Sequence, residues 1–151
     1  MRDNRGFTLI ELAIALAIFG MLLVGLFAAL ASATILSDAA TSKAAALAAT
    51  VSKLEEIIAT DRDRLIADYS TGGAPGPLFA VAGLPHSQGV VALDTSEAGL
   101  ITVHCTVCWR GKGNRLYGED ADLDGVRDPG EDANGNGFID SPVTLSVTLV
   151  R

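Results

Sequence analysis

Gly6-Phe7-Thr8-Leu9-Ile10-Glu11 leads into an apolar run with no charged residue from Leu12 to Leu36. A bilayer's hydrocarbon is crossed by about 20 apolar residues in a helix, so residues 12–36 are long enough to span it. Glu11 stands at the mouth of that run. A carboxylate inside the hydrocarbon costs about 3 kcal/mol even on insertion scales, which makes such a residue a functional candidate by default.

The residues before the run agree with a membrane reading. Arg2 and Arg5 outweigh Asp3, and positive charge ahead of an apolar span favours a cytoplasmic N-terminus. The remainder of the chain is then expected outside the cytoplasm.

In residue order, Gly6 to Glu11 and the apolar run behind them resemble the leader and cleavage site of the type IV filament superfamily, which holds type IV pilins and the pseudopilins of type II secretion. The resemblance implies that a prepilin peptidase cuts after Gly6 and methylates the new N-terminus at Phe7. It also implies that Glu11 pairs with the terminal amine of a neighbouring subunit during assembly. The implied partners are other pilin or pseudopilin subunits, the peptidase, an inner-membrane assembly platform and membrane lipid. Many major pilins carry a proline that kinks the membrane helix. Here the corresponding residue is Ala28, which tilts the expectation towards a minor pilin or a pseudopilin, and the presence of Glu11 argues against the tip pseudopilin.

A second reading stays open. A basic start, an apolar core and small residues at Ala29-Leu30-Ala31 or Ala31-Ser32-Ala33 also describe a secretory signal. That route would release a calcium-binding or adhesive module beginning at Ser32 or Thr34. The length of the run favours the span, because a signal's apolar region has only about 7 to 15 residues.

The expected organisation is a leader at 1–6, the membrane half of a long helix at 7–36, and one domain outside the cytoplasm at 37–151. Beyond the membrane run, Leu36, Ala40, Ala44, Leu47, Val51, Leu54 and Ile58 recur at steps of three or four, which lines one face of a continuing helix. That stripe is expected to pack on a sheet. Asp61-Arg62-Asp63-Arg64 still permits helix, so the rod is expected to run to about residue 68 before Gly72-Gly73-Ala74-Pro75-Gly76-Pro77 stops it.

After the breaker the period falls to two. Ile101, Val103, Cys105, Val107 and Trp109 alternate with Thr102, His104, Thr106 and Cys108. Val143, Leu145, Val147 and Leu149 alternate with Thr144, Ser146 and Thr148. Both are half-buried strands by pattern, and residues 90–93 are a shorter candidate. The expected fold is α+β and pilin-like: a long N-terminal helix on a small antiparallel sheet.

Between the last two strands, residues 120–131 match the twelve-residue calcium loop at each defining position. Asp120, Asp122 and Asp124 would offer carboxylates, Val126 its carbonyl, Asp128 a direct or water-bridged oxygen, and Glu131 a bidentate closure. The flanks are not helices, and the loop resembles those of thrombospondin type 3 or dockerin-like repeats. Asp132, Asn134, Asn136, Phe138 and Asp140 restart the pattern, but the twelfth position is Val143, so a second ion is expected to be weaker. Residues 119–140 hold eight acids and one base, while the whole chain is at −7. Crowded carboxylates repel one another, a penalty that calcium would relieve. The plain alternative is a solvated acidic loop rich in turn residues.

Cys105 and Cys108 form a C-x-x-C without the context of a redox fold or a zinc site. Residues three apart on a strand face opposite ways, so a mutual disulfide would need a bulge. Packing or an incidental disulfide is expected, ahead of zinc with His104 or His86. No nucleophile with a base and no phosphate loop is present, so no catalytic activity is expected. Sparse basic residues argue against a nucleic-acid surface.

Overall fold

A computed structural model describes residues 8–150. The predicted cleavage and methylation positions, Gly6 and Phe7, lie outside the described residues. The chain divides into two units, Met1–Ser37 and Asp38–Arg151.

Helix α1 runs over Leu9–Ala59 and is long and apolar enough to cross a membrane. Its start is a capping box, Thr8-Leu9-Ile10-Glu11. The Glu11 amide donates to Thr8 Oγ1 at 3.3 Å, and the Thr8 amide donates to Glu11 Oε2 at 2.9 Å. The Thr8 hydroxyl donates to the same carboxylate oxygen at 2.8 Å. These bonds satisfy donors that a helix start leaves open. Glu11 therefore has a structural task within its own chain. In the first unit the described side chains are all exposed, including Leu9, Phe19, Met21 and Leu22.

The second unit is a helix-on-sheet layer. Its strands are β1 (Leu78–Phe79), β2 (Ser87–Asp94), β3 (Leu100–Arg110), β4 (Leu116–Tyr117) and β5 (Thr144–Val150). All pairings are antiparallel in one sheet, with β3 central between β2 on one side and β4 and β5 on the other. The β3–β5 register runs from Leu100↔Val150 to Thr106↔Thr144. The two-residue rhythm is realised as predicted: Ile101, Val103, Cys105, Val107 and Trp109 are buried among the core residues of α1 and the sheet. On the other sheet face Thr102 pairs with Thr148 and Thr106 with Thr144, each at 3.0 Å. Trp109 stacks on Tyr117 with ring centroids 5.0 Å apart.

The helix departs from expectation in two respects. It does not continue unbroken to about residue 68: α1 ends at Ala59, and a second helix, α2 (Arg62–Tyr69), starts after Asp61 in extended conformation. Asp61 Oδ1 accepts the Asp63 amide at 3.3 Å, the N-cap role for which aspartate is well suited. The break admits Leu65 and Tyr69 to the core beside Ile57.

The packing face is also different. Ala46, Thr50, Lys53 and Ile57 are the buried residues of α1, whereas Leu47, Val51 and Ile58 of the predicted stripe stay 41 to 46 % exposed. Leu54 alone of that stripe packs against the core. Lys53 can be buried because its ammonium pairs with Glu56 at 2.8 Å and lies over the rings of Tyr69 and Phe79. Its methylene stem covers apolar surface. Periodicity identifies an apolar face, not what covers it, and here the sheet takes the neighbouring face of Ala46, Thr50, Lys53 and Ile57.

Candidate cation-binding loop

Between β4 and β5 the chain from Gly118 to Val143 contains no helix or strand, a length that is uncommon without a function or an ordering ligand. The segment is nonetheless internally bonded. Asp120 is fully buried; its Oδ1 accepts the Leu123 amide at 2.7 Å and its Oδ2 the Gly125 amide at 3.0 Å. Asp122 accepts the Asp124 amide, and Asp124 accepts the Val126 amide at 2.7 Å. Glu131, 8 % exposed, closes the loop, with Oε1 on the Ala121 amide at 2.6 Å and Oε2 on the Asp128 amide at 3.0 Å.

Ligand oxygens of Asp120, Asp122 and Asp124 lie within 4.8 Å of one another. Among the described residues no lysine or arginine forms an ion pair with these three or with Glu131. A buried, unpaired carboxylate is costly, which gives the donor set the character of a hard-cation site. Asp120 is the buried member of the three and Asp122 and Asp124 are exposed, an arrangement that could hold a metal ion.

The second half-loop repeats much of this scheme, although its first aspartate caps the fifth and sixth positions where Asp120 caps the fourth and sixth. Asp132 accepts the amides of Asn136 and Gly137, Asn134 accepts that of Asn136, and Asn136 accepts that of Phe138. Asp140 Oδ2 accepts the side-chain amides of Asn134 and Asn136, each at 2.7 Å. The closing glutamate absent at Val143 comes from upstream. Glu119 places Oε1 on the Ala133 amide at 3.2 Å and Oε2 on the Asp140 amide at 3.0 Å. Those are the second and ninth positions of its loop, the same two that Glu131 caps in the first. Sequence reasoning missed Glu119 because it looked for closure downstream. The available signal was the repeat of Glu-Asp at 119–120 and 131–132.

The loop lies on the outer face of the sheet. Leu123 and Ile139 pack with Val90 and Cys108, and the Phe138 ring sits 4.6 Å from His104. Gly125 is held at φ +77°, and a Cβ there would overlap the Leu78 side chain. Gly125→Ala should cost about 2–3 kcal/mol, from the left-handed backbone plus overpacking, read as a lowered melting temperature.

Burial pushes the Asp120 carboxyl above its ordinary range, opposed by the Gly125 and Leu123 amides and reinforced by the charges of Glu131 and Asp122. A carboxyl raised on folding binds its proton more tightly in the folded state, so stability falls as pH rises through that range. In chelator, the melting temperature should therefore rise as pH falls from neutral towards the carboxylate range of about 4. With calcium present the trend should reverse, because protons displace the cation. Melts across that pH window with and without chelator give both signs.

Cys105 and Cys108 are free thiols on opposite sheet faces, in separate clusters. Burial pushes Cys105 up to about 12 and Cys108 up to about 11, so both stay protonated and unreactive.

The fold and loop together define a class: an apolar, membrane-length N-terminal helix continuing into an α+β unit that carries an acidic loop. Within that class, residues 1–27 match the model of the prokaryotic N-terminal methylation motif, the signal of type IV pilins and pseudopilins. No curated protein and no solved structure matches the chain.

Proposed function

We propose that the chain is a structural subunit, not an enzyme, of a type II secretion pseudopilus or a type IV pilus. It is cut after Gly6 by prepilin peptidase, methylated at Phe7 and held in the inner membrane by one span. The second unit lies on the outer side of that membrane until the subunit joins the filament through α1. The observation that carries this reading is the apolar face of α1 beyond the membrane run, where Leu47, Val51 and Ile58 remain uncovered. Contiguous exposed apolar surface marks an interaction site, and neighbouring subunits would cover it. Glu11 then exchanges its bonds with Thr8 for the neighbour's terminal amine.

Calcium is the proposed ligand of the loop. Asp120, Asp122, Asp124, Val126, Asp128 and Glu131 would hold one ion. Asp132, Asn134, Asn136, Phe138 and Asp140, closed by Glu119, would hold a second. Bound calcium would neutralise the crowded carboxylates and fix the segment that delivers β5 to β3.

Mass spectrometry of the mature N-terminus tests the main reading. Methylated Phe7 is expected; Ser32 or Thr34 would instead identify a module released by ordinary signal peptidase.

A further inference from the structure

We propose that the outer edge of β5 docks a second copy of this chain, the two β5 strands pairing antiparallel about Val147 to join their sheets. The whole of this surface lies within the second unit, and the pairing requires neither a membrane nor a filament.

Strand β5 (Thr144–Val150) pairs with β3 alone. The opposite margin of the sheet is shielded, because β1 pairs with β2 and the Val91 amide donates to the Pro77 carbonyl at 2.7 Å. Among the described residues no backbone bond reaches the far side of β5. Natural edge strands discourage pairing with a charge, a proline, a bulge or a very short length. Thr144-Leu145-Ser146-Val147-Thr148-Leu149-Val150 has no charge and no proline. Its register with β3 is continuous from end to end.

That register fixes which groups face outward. The Val107 amide donates to the Val143 carbonyl at 3.1 Å, which makes those two a hydrogen-bonded pair continuing the ladder. Such pairs alternate along antiparallel strands. Leu145, Val147 and Leu149 therefore bond to β3, whereas Thr144, Ser146, Thr148 and Val150 aim amide and carbonyl away from it.

A two-fold axis at Val147 sets the outward groups of one copy against those of the other. Thr144 then faces Val150, Ser146 faces Thr148, Leu145 faces Leu149, and Val147 faces itself. The side-chain faces agree as well. Leucine and valine meet on the helix side of the sheet, where Leu145 and Val147 are only half-buried in the single chain. Hydroxyls meet on the other side, where Thr102–Thr148 and Thr106–Thr144 pairs at 3.0 Å already join β5 to β3. Matched cross-strand pairs of both kinds stabilise a sheet. The contact uses the same patch on both copies, so it closes as a dimer and does not propagate.

Mild oxidation of the purified full chain in detergent, read on non-reducing gels, provides the test. Opposed residues of a non-hydrogen-bonded pair have Cα atoms about 4.5 Å apart, within the reach of a disulfide. Val147→Cys should therefore give a linked dimer. Ser146→Cys is two residues out of register with its own copy, beyond the limit of about 7 Å; it should stay unlinked alone and link when mixed with Thr148→Cys. The native thiols Cys105 and Cys108 are buried, and the unaltered chain serves as the blank. Thr148→Lys places a charge on the exposed edge and, added to Val147→Cys, should abolish the link while the Trp109 melt shows the unit still folded. Absence of a Val147→Cys dimer overturns the proposal, as does equal linking of Ser146→Cys alone or a link that survives Thr148→Lys. Oxidation in cell membranes that joins Val147→Cys to a chain of another mass would overturn the second copy as occupant.

Discussion

Val51→Glu is expected to abolish incorporation into filaments while leaving the second unit folded. Val51 is 41 % exposed on the face of α1 that the sheet does not cover, so the substitution should change stability by no more than about 0.5 kcal/mol. In a packed helix interface the same carboxylate would lose its water without gaining a partner, at a cost of several kcal/mol. Ile57→Ala supplies the contrast. That residue is fully buried beside Leu65 and Tyr69, and its truncation should cost about 2–5 kcal/mol. Immunoblots of sheared filaments, paired with thermal melts of the purified protein, separate the two effects. Normal assembly of Val51→Glu would remove the case for α1 as the assembly surface.

Chelation of calcium is expected to lower the melting temperature of the second unit by about 10 °C. Extracellular calcium modules have dissociation constants of about 10⁻⁴ to 10⁻³ M. A site at the tighter end, in about 10 mM calcium, contributes about 2.7 kcal/mol, and each kcal/mol moves a small domain by about 4–8 °C. Fluorescence of Trp109, the single tryptophan and a core residue of this unit, follows the transition without interference from the apolar helix. Glu131→Gln should remove the first site's share. Glu119→Gln should remove the second site's share and leave the first. A melt indifferent to millimolar calcium would falsify the cation reading of the loop. Indifference confined to Glu119→Gln would leave one ion instead of two.

The alternating residues of β3 and β5 showed their strands and inward face in advance, because a strand half covered by a helix must alternate. The short strands β1 and β4 were not legible, since two residues carry no period. At the helix start, Thr8 and Glu11 stand three apart, a capping-box spacing readable from the chain, yet Glu11 drew notice as a charge near lipid and as an assembly residue, not as a cap. The cluster of Asp120, Asp122 and Asp124 was legible because its carboxylates are local and its spacing is strict. Its partner was half legible: Glu119 closes residues 132–140 from the opposite direction in sequence, which only folding brings about.

The sequence by itself determined the membrane-length helix, the antiparallel layer beside it and the twelve-residue acidic loop. Each depends on local periodicity or spacing, which a linear chain displays. Tertiary structure decided which face of α1 meets the sheet, where the helix breaks to admit Leu65 and Tyr69, and which glutamate closes the second half-loop. These outcomes depend on contacts between distant residues. The sheet covers the face of Ala46, Thr50, Lys53 and Ile57, where Glu56 and two rings satisfy the Lys53 ammonium, and leaves Leu47, Val51 and Ile58 outward.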